Sequence, residues 1–429
     1  ILTLRGLGSY EVVPLKRIHI MGIAGAGAAA VAGIAKEFGW QVDGCDIAPN
    51  SPYTKNLDID IKEGHNKSHI KNINMLIVSP AIEKTDPENS ELQNAKKLNI
   101  PVLTWQEFQG QYLQKDKFVI CVAGAYGKTT TTAMISQILT DAGFDPTCEI
   151  GAKVLNWQSN FKVGKSKYYV CEGDEYNNNF LNYHPDIAVI LNVAWDHPDF
   201  FKTQQDVLNS YQKFIYNIRP DGILIIGSNP ELASFTKSIL NSKKGSDPMQ
   251  LKIVKVDNLG KLNLSIIGDF RKENANAALT VAEVLGINTT IARRAVQNFK
   301  GTGRRLEYKG EKKGVKFYDD YAVQPYTVLK TADALKQKFA HQKVTLVFEP
   351  HTFSRINTFF DEFAKSLKDS KVDEILVTDV FAAREIGDKK KIAQKLAKSI
   401  GKKAKFTGSI DQTAGYVKNN LDGMEIVLS

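Results

Sequence analysis

Short apolar runs alternate with amphipathic stretches along the chain. IHIMGI (18–23), QVDGCD (41–46) and MLIVS (75–79) read as strands, whereas AAAVAGIAKEFG (28–39) and SELQNAKKLN (90–99) carry helical spacing. That alternation is the signature of a parallel sheet wrapped by helices. A second block opens at FVICVAG (118–124), after the polar stretch Gln114-Lys115-Asp116-Lys117, and contains YYVCEGD (168–174), IAVILNV (187–193) and GILIIG (222–227) as further strands. A third begins near Gly301-Thr302-Gly303 and runs through VKFYDDY (315–321), VTLVFEP (344–350) and DEILVTD (373–379), each followed by a helical pattern. The pattern predicts an α/β fold of three consecutive domains with mainly parallel sheets, at 1–114, 115–303 and 304–429. No low-complexity tract or short-period repeat interrupts it.

Length agrees with this division, because 429 residues correspond to about three domains of roughly 150 each. With 43% hydrophobic and 24% charged residues, each block can bury a core. No apolar run approaches the roughly 18 residues of a membrane span, and the opening ILTLRGLGSYEVVPLKR lacks the apolar stretch of a secretory signal, so a cytoplasmic location without a membrane partner is expected. Cys45, Cys121, Cys148 and Cys171 show no C-x-x-C spacing and read as reduced core residues. The net charge of +9 comes from thinly spread lysines, with clusters such as Lys389-Lys390-Lys391 reading as solvated helix faces. An anionic small substrate accounts for the excess as well as nucleic acid does, and no nucleic-acid partner is expected.

Two glycine-bearing turns carry candidate chemistry. In HIMGIAGAGAAA, Gly22, Gly25 and Gly27 lie between a strand and a helix, where glycines admit a pyrophosphate to a helix N-terminus. Asp46 ends the next strand at about the distance of a ribose-binding acid. The pattern fits a dinucleotide, a nucleotide carried by a substrate, or a plain tight strand-to-helix turn. The second turn, VAGAYGKTTTTAM (122–134), has Gly124 two positions later than the usual phosphate-binding loop requires, with Val122 at the expected site. It nevertheless places backbone N–H groups, the Lys128 ammonium and the Thr129 hydroxyl after a strand and before a helix, in the order that binds a phosphate chain. Downstream, CEGDEYNNNF puts Glu172, Asp174 and Glu175 at the end of one strand, and AWDHPDFF puts Asp196 and His197 at the end of another. Carboxylates and an imidazole beside a phosphate loop suit Mg²⁺.

The motifs GAYGKTTTT, CEGDEY, the DH of AWDHPDFF, NANAA, GTGRRLE, DDYA, EPHTFSR and DVFAARE together resemble the Mur ligases of peptidoglycan synthesis, in order and over nearly the whole chain. The compact G-x-x-G-K-[ST] loop belongs to that resemblance. It implies a Rossmann-like UDP-sugar domain, a central ATPase-type domain and a Rossmann-like C-terminal domain contacting an amino acid. The implied reaction is ATP-dependent amide formation between L-alanine and the lactyl carboxylate of UDP-N-acetylmuramate through an acyl phosphate, by a monomer or homodimer with ATP and Mg²⁺. By the same resemblance Lys128 holds the β- and γ-phosphates, with Gly124, Gly127 and Thr130 in the loop. Thr129 and Glu172 take one magnesium ion and His197 a second. Asn274 lies near adenine, Arg305 approaches ATP across a domain boundary, and Asp320 lies near the ribose. Gly22, Gly25, Gly27, Asp46, His65 and Ser79 line the UDP-sugar, and Arg355 stands at the amino-acid end. The catalytic set is Lys128, Glu172, His197 and Arg355.

The chain departs from the family pattern at Ala125-Tyr126 in place of Thr-His, at Phe270-Arg271 before Asn274, at Val323-Gln324-Pro325 in place of His-His-Pro, and at Thr352 in place of a basic residue. These changes bear on the expected amino-acid pocket more than on the ATP site. Family members continue beyond a strand such as the terminal MEIVLS, so trimmed ends are expected. Tyr176 resembles the ligase that attaches a murein tripeptide to the same nucleotide, while PHTFSR and DVFAARE fit the alanine-adding branch better. A catalytically silent nucleotide-binding homologue and, on charge alone, a nucleic-acid-binding ATPase are the further alternatives.

Overall fold

The computed structural model describes residues 16–242, 251–383 and 385–429. The opening stretch before residue 16 and Arg384 of DVFAARE lie outside the described residues. Two units can be distinguished, one ending at Phe108 and one running from Gln109 to Ser429.

In the first unit, strands β1 (Arg17–Met21), β2 (Gln41–Asp46), β3 (Asp60–Glu63), β4 (Met75–Val78) and β5 (Val102–Thr104) form an all-parallel sheet in the order β3-β2-β1-β4-β5. β4 reads MLIV and is buried at every position, because helices cover both faces of such a sheet. The helix Ala26–Glu37 is rich in alanine, and its residues 28–35 are all buried. Its N-cap is Gly25, which has no side chain of its own to cap the helix. The chain order reverses between β1 and β4, which opens a crevice at the carboxyl ends of the strands.

The second unit holds two sheets. In the first of them, β6 (Phe118–Ala123), β7 (Thr147–Val154), β8 (Ser159–Lys162), β9 (Tyr168–Gly173), β10 (Ile187–Ile190), β11 (Ile223–Ile226) and β12 (Lys252–Lys255) run in the order β12-β11-β10-β6-β9-β7-β8. All pairs are parallel except β7 with β8. The apolar central strands β6 and β10 are sandwiched between helices, with Lys128–Asp141 and Arg271–Val284 contributing to one core. In the other sheet, β13 (Arg305–Lys312), β14 (Val315–Asp320), β15 (Val344–Phe348), β16 (Glu374–Thr378), β17 (Ala404–Gly408) and β18 (Ile426–Leu428) run β13-β14-β18-β15-β16-β17, with only β13–β14 antiparallel. Cys45, Cys121, Cys148 and Cys171 are all free and buried. Among the described residues, no helix is long and apolar enough to cross a membrane.

Candidate active site

β10, β6 and β9 are neighbours, so the segments leaving their carboxyl ends converge. The segment after β6 is the loop 124–127, and the helix Lys128–Asp141 follows it. Gly127 is its N-cap in the left-handed region at φ +88°, and a Cβ there would lie 2.8 Å from Asn274 Oδ1. Gly124 is also at positive φ, and a Cβ at that position would lie 3.1 Å from Leu191 Cβ. Lys128 Nζ donates to Gly124 O at 2.6 Å and to Glu175 Oε2 at 2.8 Å. Burial disfavours its charge, but Glu175, Asp174 and Glu172 outweigh burial and raise its pKa. Acidic neighbours therefore favour a charged ammonium beside the loop 124–127.

β9 supplies the carboxylates. Glu172 pairs in register with Val122, accepts from Gly151 N at 2.5 Å, and accepts from the Thr129 hydroxyl at 3.1 Å. Burial raises its pKa, while the Gly151 amide, Lys128 and Arg305 oppose the rise. The segment after β10 supplies His197, a residue at φ +54°, whose ring lies over Tyr176 at 4.8 Å between centroids. Its Nε2 is 3.9 Å from Glu175 Oε1, a buried oxygen with no hydrogen-bond partner. Lys128, Thr129, Glu172 and His197 are thus brought together, with Glu175 between Lys128 and His197. The sequence placed Glu175 among the strand-end carboxylates suited to Mg²⁺ but not among the residues assigned to the ion.

Asn192, unremarked in the sequence, clamps the loop by accepting from Tyr126 N at 3.1 Å and donating to Tyr126 O at 3.0 Å. A polar residue just after the apolar run IAVIL was its available signal. Tyr126 also packs on Tyr326 at 4.9 Å between ring centroids, and burial pushes its phenol up to about 12. A departure from the family pattern in the loop thus rests against the helix that follows the departure after DDYA.

Two buried links join the sheets of this unit. Arg355 Nε donates to Asp196 Oδ1 at 2.9 Å, and Gln324 Nε2 donates to Asp196 Oδ2 at 2.7 Å. Arg355 Nη1 meets His351 Nδ1 at 2.9 Å, and His351 Nε2 meets the Tyr321 hydroxyl at 3.1 Å. Burial opposes ionisation of Asp196, but His197, Arg355 and Gln324 hold its pKa well below the ordinary carboxylate range. Arg355 is accordingly tied to the segment bearing His197 on one edge of its guanidinium. In the second link, Arg271 Nη1 donates to Thr130 Oγ1 at 2.9 Å and Nη2 lies 3.9 Å from Asp320 Oδ2. Burial lowers the Arg271 pKa to about 10 against the pull of Asp320. Asp320 accepts from Leu306 N at 2.8 Å, and Arg305 Nη1 donates to Tyr321 O at 2.9 Å. Asn274 is buried in the first turn of Arg271–Val284, against Gly127.

In the first unit, Gly22 is at φ +82°, and a Cβ there would lie 2.8 Å from Ser79 Cβ. Asp46 Oδ2 accepts from Ala24 N at 2.9 Å and Oδ1 from Ala48 N at 2.9 Å. Gly22, Gly25, Asp46 and Ser79 thus meet at the crevice around the N-terminus of Ala26–Glu37. Gly27 differs, because a Cβ there would strike the Trp105 ring at 2.5 Å, so its smallness serves packing. His65 is turned toward Cys45, with Nδ1 3.1 Å from Sγ.

The chain belongs to the Mur ligase family, a family of ATP-dependent ligases. Residues 17–117 match the family description "Mur ligase family, catalytic domain", residues 122–282 "Mur ligase middle domain", and residues 304–428 "Mur ligase, glutamate ligase domain". The chain is similar to the UDP-N-acetylmuramate–L-alanine ligase of Caldanaerobacter subterraneus subsp. tengcongensis, at 34% identity over 445 residues covering 96% of this chain and 94% of that one. Among solved structures it resembles the UDP-N-acetylmuramate-alanine ligase MurC of Thermotoga maritima, with a TM-score of 0.75, 22% identity, and 96% and 94% of the two chains covered. A murein peptide ligase from Psychrobacter arcticus shares the fold at a TM-score of 0.74 and 20% identity, over 96% and 95% of the chains.

Proposed function

We propose that this chain joins L-alanine to the lactyl carboxylate of UDP-N-acetylmuramate, converting ATP to ADP and phosphate. The observation carrying the reading is the similarity to a named alanine ligase over 96% of the chain. The three domains divide the work, with 1–114 holding the UDP-sugar through Gly22, Gly25, Asp46 and Ser79, 115–303 holding ATP, and 304–429 presenting the amino acid. The reaction belongs in the cytoplasm, where ATP and UDP-sugars are made.

The substrate carboxylate attacks the γ-phosphorus in line, forming an acyl phosphate and releasing ADP. The alanine amine then attacks the acyl carbon, and collapse of the tetrahedral intermediate expels phosphate and leaves an amide. Protein groups position the reactants and neutralise charge. Lys128 exchanges its contact with Glu175 for the β- and γ-phosphates. Gly127 lets the backbone approach those phosphates, and Asn274 stands behind it toward the adenine. Thr129, Glu172 and His197 are the residues that would hold Mg²⁺, and the unpartnered Glu175 oxygen beside His197 adds to a donor set suited to a hard cation. That ion supplies neutralisation of phosphate charge. Arg305 and Asp320 act from the C-terminal side, and Arg355 receives the alanine carboxylate with the part of its guanidinium that Asp196 does not occupy.

Competition among amino acids tests the assignment. With UDP-N-acetylmuramate as acceptor, kcat/KM for L-alanine exceeds that for glycine by roughly 10–200-fold, the range that one methyl group in an apolar pocket provides. A strong preference for a γ-glutamyl-containing tripeptide overturns alanine as the substrate and leaves the ligase mechanism standing.

A further inference from the structure

One face of the first unit's sheet carries a buried cluster of side chains typical of metal ligands. His19 on β1 and Asp43 and Cys45 on β2 share that face, since His19 pairs in register with Asp43 and Cys45 lies two residues further along. Glu91, in the first turn of the helix Ser90–Lys97, reaches down onto them, and His65 and His69 approach from the segment after β3. His19, Cys45 and Glu91 are fully buried, and the His69 side chain is only 10% exposed.

The distances within the cluster have the scale of a coordination shell. His19 Nε2 is 3.2 Å from Cys45 Sγ and 2.9 Å from Glu91 Oε1. Cys45 Sγ is 3.4 Å from Glu91 Oε2, and His69 Nδ1 is 3.3 Å from the same oxygen. One ligand atom from each of the four residues lies within 4.8 Å of all the others. A tetrahedral zinc ion with bonds of about 2.0 Å to nitrogen or oxygen and about 2.3 Å to sulfur sets its ligand atoms about 3.3–3.7 Å apart.

Two further features point to a cation at the centre. His69 Nδ1 is buried and has no hydrogen-bond partner, although a carboxylate oxygen is close to it. The other ring nitrogen of His19, Nδ1, is bonded to Asp43, which Arg17 holds in turn at 2.6 Å. A carboxylate on the far nitrogen fixes the ring and its tautomer, as outer-shell carboxylates do for metal-bound histidines.

We propose that His19 Nε2, Cys45 Sγ, His69 Nδ1 and a Glu91 oxygen form a closed structural site for one zinc-type divalent cation. A thiolate and a carboxylate balance its two positive charges, and two neutral imidazoles complete the shell. Binding releases the Cys45 thiol proton to solvent. Asn66 N donates to Glu91 Oε2 at 2.9 Å and His65 Nδ1 approaches the sulfur, supporting the shell from outside. The ion would pin β1, β2, the segment after β3 and the helix Ser90–Lys97 together behind the Asp46 crevice. Cys45 thereby separates from the other three cysteines, which remain plain core residues. The site is independent of the ligase reading.

Cobalt substitution of the full chain tests this, because a sulfur-to-cobalt charge-transfer band reports thiolate ligation and distinguishes this site from the oxygen-rich one beside Lys128. The expected results are one zinc per chain after purification without chelators, and the charge-transfer band on cobalt loading. Cys45→Ser abolishes that band, while Asp43→Asn keeps the band and weakens zinc binding by about 10–100-fold. A wild-type chain that gives no charge-transfer band, or one that persists in Cys45→Ser, overturns the proposal. The cluster is then a hydrogen-bonded network with an imidazolium between Asp43 and Glu91.

Discussion

Glu175, Asp174 and Glu172 keep Lys128 charged, and a charged ammonium is what the proposed role as donor to the phosphate chain requires. Lys128→Ala removes that charge from a place where Glu175 and Glu172 remain. The variant is expected to fold while turnover falls by at least about 10²–10³-fold, the loss associated with one charge-stabilising donor. Steady-state ATP-dependent ligation measures it, and near-wild-type turnover removes the phosphate-loop role. Glu172→Gln keeps the shape of the side chain but presents a neutral amide, a poorer ligand for a hard cation. A magnesium titration of activity then shifts to a higher half-maximal concentration, whereas an unchanged titration reduces Glu172 to a strand-end acid. These residues were legible because each sits within a few positions of an apolar strand. The bond between Asp196 and Arg355 was not, since 159 positions separate the partners and nothing local marks either as half of a pair.

At the scale of elements, the turn between β6 and its helix depends on one backbone conformation. Gly127 occupies the left-handed region with Asn274 directly over the place a Cβ would take. Gly127→Ala therefore combines a backbone cost of about 1–2 kcal/mol with a steric conflict. The expected outcome is a KM for ATP raised by about tenfold or more, with UDP-N-acetylmuramate binding by the first unit unaltered in a direct titration. An unchanged KM for ATP would show that the loop tolerates a side chain there. Buried strands such as β4, β6 and β10 announced themselves as apolar runs. β8 (SNFK), β12 (KIVK) and β13 (RLEYKGEK) did not, because all three lie at sheet edges, where solvent accepts polar side chains and the apolar pattern breaks down.

Across the molecule, Asp196 with Arg355 and Gln324, and Arg271 with Thr130 and Asp320, make the second and third sheets parts of one unit. The sequence placed both sheets and the residues of the candidate phosphate loop, but it bore no sign that Arg271, noted only as a departure from the family pattern, lies buried between the helix after that loop and the acid near the expected ribose. Such links form only when two sheets fold against each other, so they have no spacing to read. They also make the proposed catalytic arrangement depend on both sheets of this unit being folded together. The direct measurement is phosphate release from ATP by the purified chain with Mg²⁺, recorded with UDP-N-acetylmuramate and L-alanine together and with each omitted in turn. The account predicts sustained release only when both are present, in a one-to-one ratio with UDP-N-acetylmuramoyl-L-alanine formed. Sustained release that ignores either substrate, or none when all are supplied, would contradict it.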